Sequence, residues 1–288
     1  MKMKRSIAFA LVLCFLLGIG SAFALTEGDA RAVIGANLTE DQKSSVYTTF
    51  GVSSGSVTEL TVTNAEEREY LEGLVDTSII GTRSLSCVYV EITKAGSGLD
   101  VSVSNINWCT RETYLGALVT AGIDDAKVII TSPVSVTGTA ALTGIYKAYE
   151  DMTGEKLDDM AKLVGTQELV ITSELAEQLG SYDTSMIVSE LKKILEETKN
   201  MSDAQVSEEI TRIATEYDVP LTEGQIQQLV DLCRSLEKLD TSELKAKVES
   251  VQQTIKNLAG VKEAASGFVE GVKSFFKAIG DFFSNLFG

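Results

Sequence analysis

The sequence predicts an α+β (or α/β) N-terminal domain over residues 25–152, an all-α helical domain over 153–259 and a C-terminal amphipathic helix over 260–288. Three observations point there. Strand-like runs alternate with helical ones as far as Met152. After Thr153 only helical periodicity remains, punctuated by start signals. Finally, six of the ten phenylalanines fall within residues 267–288, so the last stretch differs in kind from the body before it.

The N-terminus carries Lys2, Lys4 and Arg5, then an uncharged run from Ser6 to Gly20 and small residues at Ala22 and Ala24. This is the pattern of a secretory signal peptide over residues 1–24, cleaved after Ala24. The run is short for a membrane span, which needs about 20 apolar residues. A secreted or extracytoplasmic location is therefore expected, with peripheral contact at the outer face of the cytoplasmic membrane as one form of it.

Within 25–152, "ARAVIGANL" and "VTELTV" read as strands on either side of a helix, "TEDQKSSVYTTFG". Helical "NAEEREYLEGL" follows. The runs "SLSCVYVEI" and "VSVSNINWCT" flank "KAGSG" and read as a hairpin that sets Cys87 opposite Cys109. A disulfide needs Cα atoms within about 7 Å, and register is not readable from sequence, so bridged and free thiols both remain compatible. Cys87, Cys109 and Cys233 follow the signal segment, an odd number, so at least one thiol lacks a partner within the chain. Cys233 sits among Leu229, Val230, Leu232 and Leu236, as a buried, inert thiol would. Helical "TRETYLGALVTAG", the strand "AKVIITS" and helical "GTAALTGIYKAYE" complete the domain. Two stretches, from Thr39 to Gly51 and from Thr110 to Gly122, share a Thr, helix, Gly pattern before a strand, which a recurring helix C-terminus explains.

Start signals divide the second half into helices. Ser202 to Gln205 and Thr222 to Gln225 fit the capping box, as Thr39 to Gln42 does earlier, and Asp240 to Glu243 fits its Asp variant. Pro220 separates two of these helices. Leu244, Val248, Val251, Ile255 and Leu258 keep a 3-4 spacing that continues in phase to Leu286, a heptad seam over 244–286 through which copies of the chain could associate. Glycines interrupt that seam, and a break is expected near Ala259 and Gly260.

Together, "RAVIGANLTEDQ", "TVTNAEEREYLEG", "IGTRSLSCVYVE", "GSGLDVSVSNINW" and "AKVIITSPVSVTGTAALTGIYKAYE" resemble the YpuA-like family (domain of unknown function 1002), secreted proteins of Gram-positive bacteria. The resemblance is strongest over residues 27–150. It implies export and fold, and it implies no catalytic residues.

Composition removes whole classes of chemistry. The chain has no histidine, so Ser-His-Asp and Cys-His catalysis, H-E-x-x-H zinc hydrolysis and His-based metal sites are absent. No C-x-x-C, calcium loop or nucleotide-binding glycine motif occurs, and no cofactor or metal ligand set is expected. A net charge of −16 repels nucleic acid. Acidic pairs such as Asp124-Asp125 and Asp158-Asp159 read as solvated surface, although a glycosidase needs only two suitably placed carboxylates. The stretch "TSPVSVTGTAALTG" passes from strand to helix and offers backbone N–H groups to an anion. Its Ala140, Ala141, Gly144 and Ala148 instead form a small-residue face suited to close packing on a sheet.

On a helix about 33 Å long, Phe268, Val272, Phe275, Phe276, Ile279, Phe282, Phe283, Leu286 and Phe287 fall on one side of the tail. Glu270, Lys273, Lys277 and Asp281 fall away from them, which is unsuited to spanning a membrane. That face can pack as core, lie on lipid, or meet a partner. The functional expectation is an exported, non-enzymatic envelope protein that attaches through this face. The alternative is a secreted carboxylate-based hydrolase of wall polysaccharide, which a deep pocket with two facing carboxylates would favour.

Overall fold

The computed structural model describes residues 26–266. The expected signal peptide and the apolar face from Phe268 to Phe287 lie outside the described residues. The chain is mixed α and β at first and then wholly helical, as the alternation and its loss at Thr153 predict. Strands β1 (Ala30–Gly35), β2 (Thr58–Val62), β3 (Cys87–Ile92), β4 (Leu99–Val103) and β5 (Ala126–Thr131) form one sheet in the order β2-β1-β3-β5-β4. Helices α1 (Glu40–Phe50), α2 (Asn64–Leu71), α3 (Thr77–Ile80), α4 (Arg111–Thr120) and α5 (Thr139–Thr153) connect and cover it. Then follow α6 (Asp159–Leu179), α7 (Ser181–Lys193), α8 (Leu195–Thr198), α9 (Asp203–Glu216), α10 (Glu223–Leu236) and α11 (Thr241–Ser266).

Two parallel pairs flank the antiparallel centre. β1 runs parallel to β2 across α1, and β4 runs parallel to β5 across α4, while β3 is antiparallel to both β1 and β5. The Thr, helix, Gly repeat therefore marks the two βαβ crossovers. Thr39 and Thr110 each cap their helix with a reciprocal side-chain bond, and Gly51 and Gly122 take left-handed backbone just past the ends.

The hairpin around "KAGSG" does not form. β5 lies between β3 and β4, so Cys87 and Cys109 are not cross-strand neighbours. Cys87 faces the small cluster under α1, with Val46, Tyr47 and Phe50, whereas Cys109 belongs to the main core on the other side of the sheet. Both are free and buried, so the expected bridge is not formed in this structure. β5 takes the place between β3 and β4, pairing antiparallel with β3 and parallel with β4. The "KAGSG" turn is instead tied to Asp125, which accepts from the N–H groups of Gly96 and Gly98 at 2.9 and 2.8 Å.

α5 lies across β1 and β3 on its small-residue face. A side chain at Gly144 would reach Val88 Cγ2 at 3.3 Å and Val33 Cγ1 at 3.4 Å, so the helix sits as close as the sheet allows. α4 carries the second layer, packing on β4 from one side and on α6, α7 and α11 from the other. One hydrophobic cluster consequently runs from Val33 in the sheet to Ile255 in α11. Leu244, Val248, Val251 and Ile255, the first residues of the heptad seam, are buried in it and are not open to another copy. Their helix continues through Gly260 to Ser266, without the expected break.

Candidate functional site

α2 begins with a capping box in which Thr63 Oγ1 accepts from the N–H of Glu66 while the Glu66 carboxylate accepts from Thr63 N–H. Lys147 holds the same Glu66 from outside, at 2.5 Å. With Glu66 turned outward, Glu67 lies about 100° further round the helix and points inward, on the stripe of buried Leu71. Its side chain is 1% exposed. Thr139 Oγ1 donates to Glu67 Oε1 at 2.5 Å, and Asn64 Nδ2 donates to Oε2 at 3.3 Å. Burial raises the Glu67 carboxyl above the ordinary carboxylate range, opposed by the bonds from Thr139 and Asn64 and by the charge of Arg68.

This contact opens into a cleft of 250 Å³ at the start of α5. Its floor is Glu67, Thr139 and Ser86, and its walls include Leu85 and Val136. The lip is the loop from Gly81 to Ser86, pinned by Arg68 Nη2 to Gly81 O at 2.7 Å and by Asn37, which exchanges bonds with Ser84. Gly35 permits that approach, since a Cβ there would stand 2.5 Å from Ser84 O. The opposite lip is the loop from Ser132 to Gly138, tied down by bonds from Asn107 N–H to Val136 O and Cys109 N–H to Thr137 O. Gly138 adopts φ +98°, and any side chain there would collide with Ile106 and the Tyr114 hydroxyl. α5 therefore starts with no side-chain cap. The hydroxyl of Ser86 is 3% exposed as a residue and has no hydrogen bond among the described residues. Arg83, exposed on the lip, donates Nη2 to Asn37 O at 3.0 Å and has no carboxylate partner.

Chemically the cleft holds one carboxyl, several hydroxyls and a guanidinium at its mouth. No second carboxylate lines it. A larger, open groove of 450 Å³ lies between the ends of α4, α6 and α11, and each of its carboxylates already has a structural role. Asp158 caps α6 through Ala161 N–H at 2.8 Å, Asp240 caps α11 through Ser242 and Glu243, and Glu243 holds Lys247 at 2.8 Å. Asp124 takes the same lysine at 3.2 Å, so the acidic pairs of the sequence are spent on turns, caps and ion pairs.

The three described thiols are free and buried. Burial pushes Cys87 and Cys109 up to about 12 and Cys233 up to about 11, as the apolar neighbours of Cys233 predict. Among the described residues no group of acids and thiols is arranged to hold a metal, and no helix is long and apolar enough to cross a membrane. Of Glu67, Ser86, Arg83 and Thr139, only Thr139 lies in a stretch that the sequence marks, "TSPVSVTGTAALTG"; the other three carry no motif. A further signal is Glu67 itself, a carboxylate four residues before the buried Leu71 on the same face of its helix.

The family described as "Protein of unknown function (DUF1002)" matches residues 34–258. The "Uncharacterized protein YpuA" of Bacillus subtilis (strain 168) is 36% identical over 264 residues, covering 90% of this chain and 87% of that protein. No solved structure matches the chain.

Proposed function

The chain belongs to the DUF1002 family, and from that premise we propose that it is an exported, non-catalytic protein of the cell envelope, held at a membrane surface or an envelope partner by its C-terminal apolar face. The observation that carries the non-catalytic reading is the distribution of carboxylates. Two-carboxylate hydrolysis needs acid groups about 5 to 9.5 Å apart across the substrate. Glu67 stands alone in its cleft, and the acids of the larger groove are committed to caps and ion pairs. Neither of these two clefts offers the hydrolase alternative a pair of uncommitted carboxylates.

Attachment is supported by how the apolar residues are spent. The seam of α11 is consumed by the core as far as Ile255, which leaves Phe268 to Phe287 as the further apolar face that the sequence offers. Each well-buried Phe contributes about 1.5 to 3 kcal/mol, ample for surface binding over six residues. Export is tested by N-terminal sequencing of the chain recovered outside the cell, which is expected to begin at Leu25. Attachment is tested by sedimentation with neutral phospholipid vesicles and with isolated envelope, comparing the mature chain with one that ends at Ser266. The shortened chain is expected to stay in the supernatant and keep its melting temperature. Equal sedimentation of both, or a collapsed melting temperature on shortening, overturns attachment through the tail.

A further inference from the structure

We propose that the cleft at the start of α5 binds a small α-amino acid, its ammonium on Glu67 and Ser86 and its carboxylate toward Arg83. This stands apart from the tail, since no residue beyond Ala140 is needed.

The argument is a count of donors and acceptors inside the cleft. Thr139 gives its proton to Glu67, and Thr137 gives its proton to Ile79 O at 3.0 Å, so both hydroxyls can only accept from a ligand. A carboxylate offers about four acceptor positions. Glu67 uses one on each oxygen, for Thr139 and Asn64, and so has acceptors to spare. Ser86, 3% exposed as a residue, adds a hydroxyl that lines the cleft and bonds to no other group among the described residues. A hydroxyl that is held in a cleft and uncommitted within the chain can both donate to and accept from a ligand. The floor is thus rich in acceptors, and the head group that fits it is a compact one with several donors and a positive charge, which an ammonium is.

The mouth has the opposite character. Arg83 has guanidinium donors to spare and no acid partner among the described residues, an arrangement that favours an anion. Positive and negative ends within one small cleft match a zwitterion. At 250 Å³ the space is below the 300 to 1,000 Å³ or so typical of drug-sized ligands. No aromatic ring lines it, which speaks against a sugar platform. Leu85 and Val136 leave room for a short apolar side chain.

The test is titration of the mature chain at pH 7 with glycine and with alanine of either hand, followed by calorimetry and by amide shifts of residues 81–86 and 136–140. Saturable binding is expected. Alanine methyl ester, which keeps the ammonium, and N-acetylalanine, which keeps the carboxylate, are each expected to bind at least about tenfold more weakly, as is Glu67→Gln toward alanine. Arg83 is exposed, so Arg83→Gln is expected to fold normally, to weaken alanine and to leave the ester unaffected. Ser86→Ala serves as a second floor variant should Glu67→Gln fail to fold, and it is expected to weaken both alanine and the ester. The proposal is overturned by no saturable shift with any amino acid up to about 10 mM, by N-acetylalanine binding as well as alanine, or by indifference to both Arg83→Gln and Ser86→Ala.

Discussion

Two buried charges dominate at the scale of single residues. Lys192 and Glu168, 2% and 1% exposed, pair at 2.6 Å where α4, α6 and α7 meet. Lys192 also donates to Gly116 O at 3.0 Å, and Thr120 donates to Glu168 at 2.6 Å, so the carboxylate is satisfied on both oxygens. Removing one member strands the other. Lys192→Met is expected to cost about 3 to 5 kcal/mol in urea unfolding, and the double variant with Glu168→Leu to recover much of it. Glu67 gives a different signature. Its folded value is raised, chiefly by burial, so it binds a proton more readily folded than unfolded. Such a group stabilises the fold fully below its unfolded value of about 4.3 and loses that contribution as pH rises through its folded value. Relative to Glu67→Gln, the native chain is therefore expected to lose stability as pH rises above about 4.3, measured by urea titrations at stepped pH.

At the scale of elements, close approach is what glycine permits. A Cβ at Gly165 in α6 would stand 2.8 Å from Ala117 O and 2.9 Å from the Tyr146 hydroxyl, against backbone that cannot rotate away. Gly165→Ala is expected to push α6 off α4 and cost about 1 to 3 kcal/mol, read as a lowered urea midpoint with an unchanged slope. Helix starts were legible because a capping box lies within four residues: Thr39, Ser202 and Thr222 all cap as their spacing indicates. Strand partners were not, because β3 and β4 are adjacent in sequence yet separated by β5 in the sheet. The seam of α11 was legible as an apolar stripe, but its destination against α7 and α4 was not.

For the molecule as a whole, the change from mixed to helical structure at Thr153 is real, but the core does not divide there. α4 buries Leu115 and Leu118 in the cluster that α6, α7 and α11 complete. A fragment of residues 25–152 is accordingly expected to lack a cooperative urea transition, while residues 25–266 unfold in one step. Two separate transitions in the longer chain would show that the halves fold independently.

What the sequence determined by itself is what short-range chemistry controls. The positions of the strands and most helices, the absence of histidine chemistry, and the burial of Cys233 all follow from side chains a few residues apart or from composition. Tertiary structure alone decided the strand order, the separation of Cys87 from Cys109, the burial of the α11 seam, and the meeting of Glu67 with Thr139 across 72 residues of chain. Those outcomes depend on which apolar faces cover one another once long loops have closed. A local pattern shows that a face is apolar, or that a carboxylate interrupts it, but the partner is chosen by the packing of the whole chain.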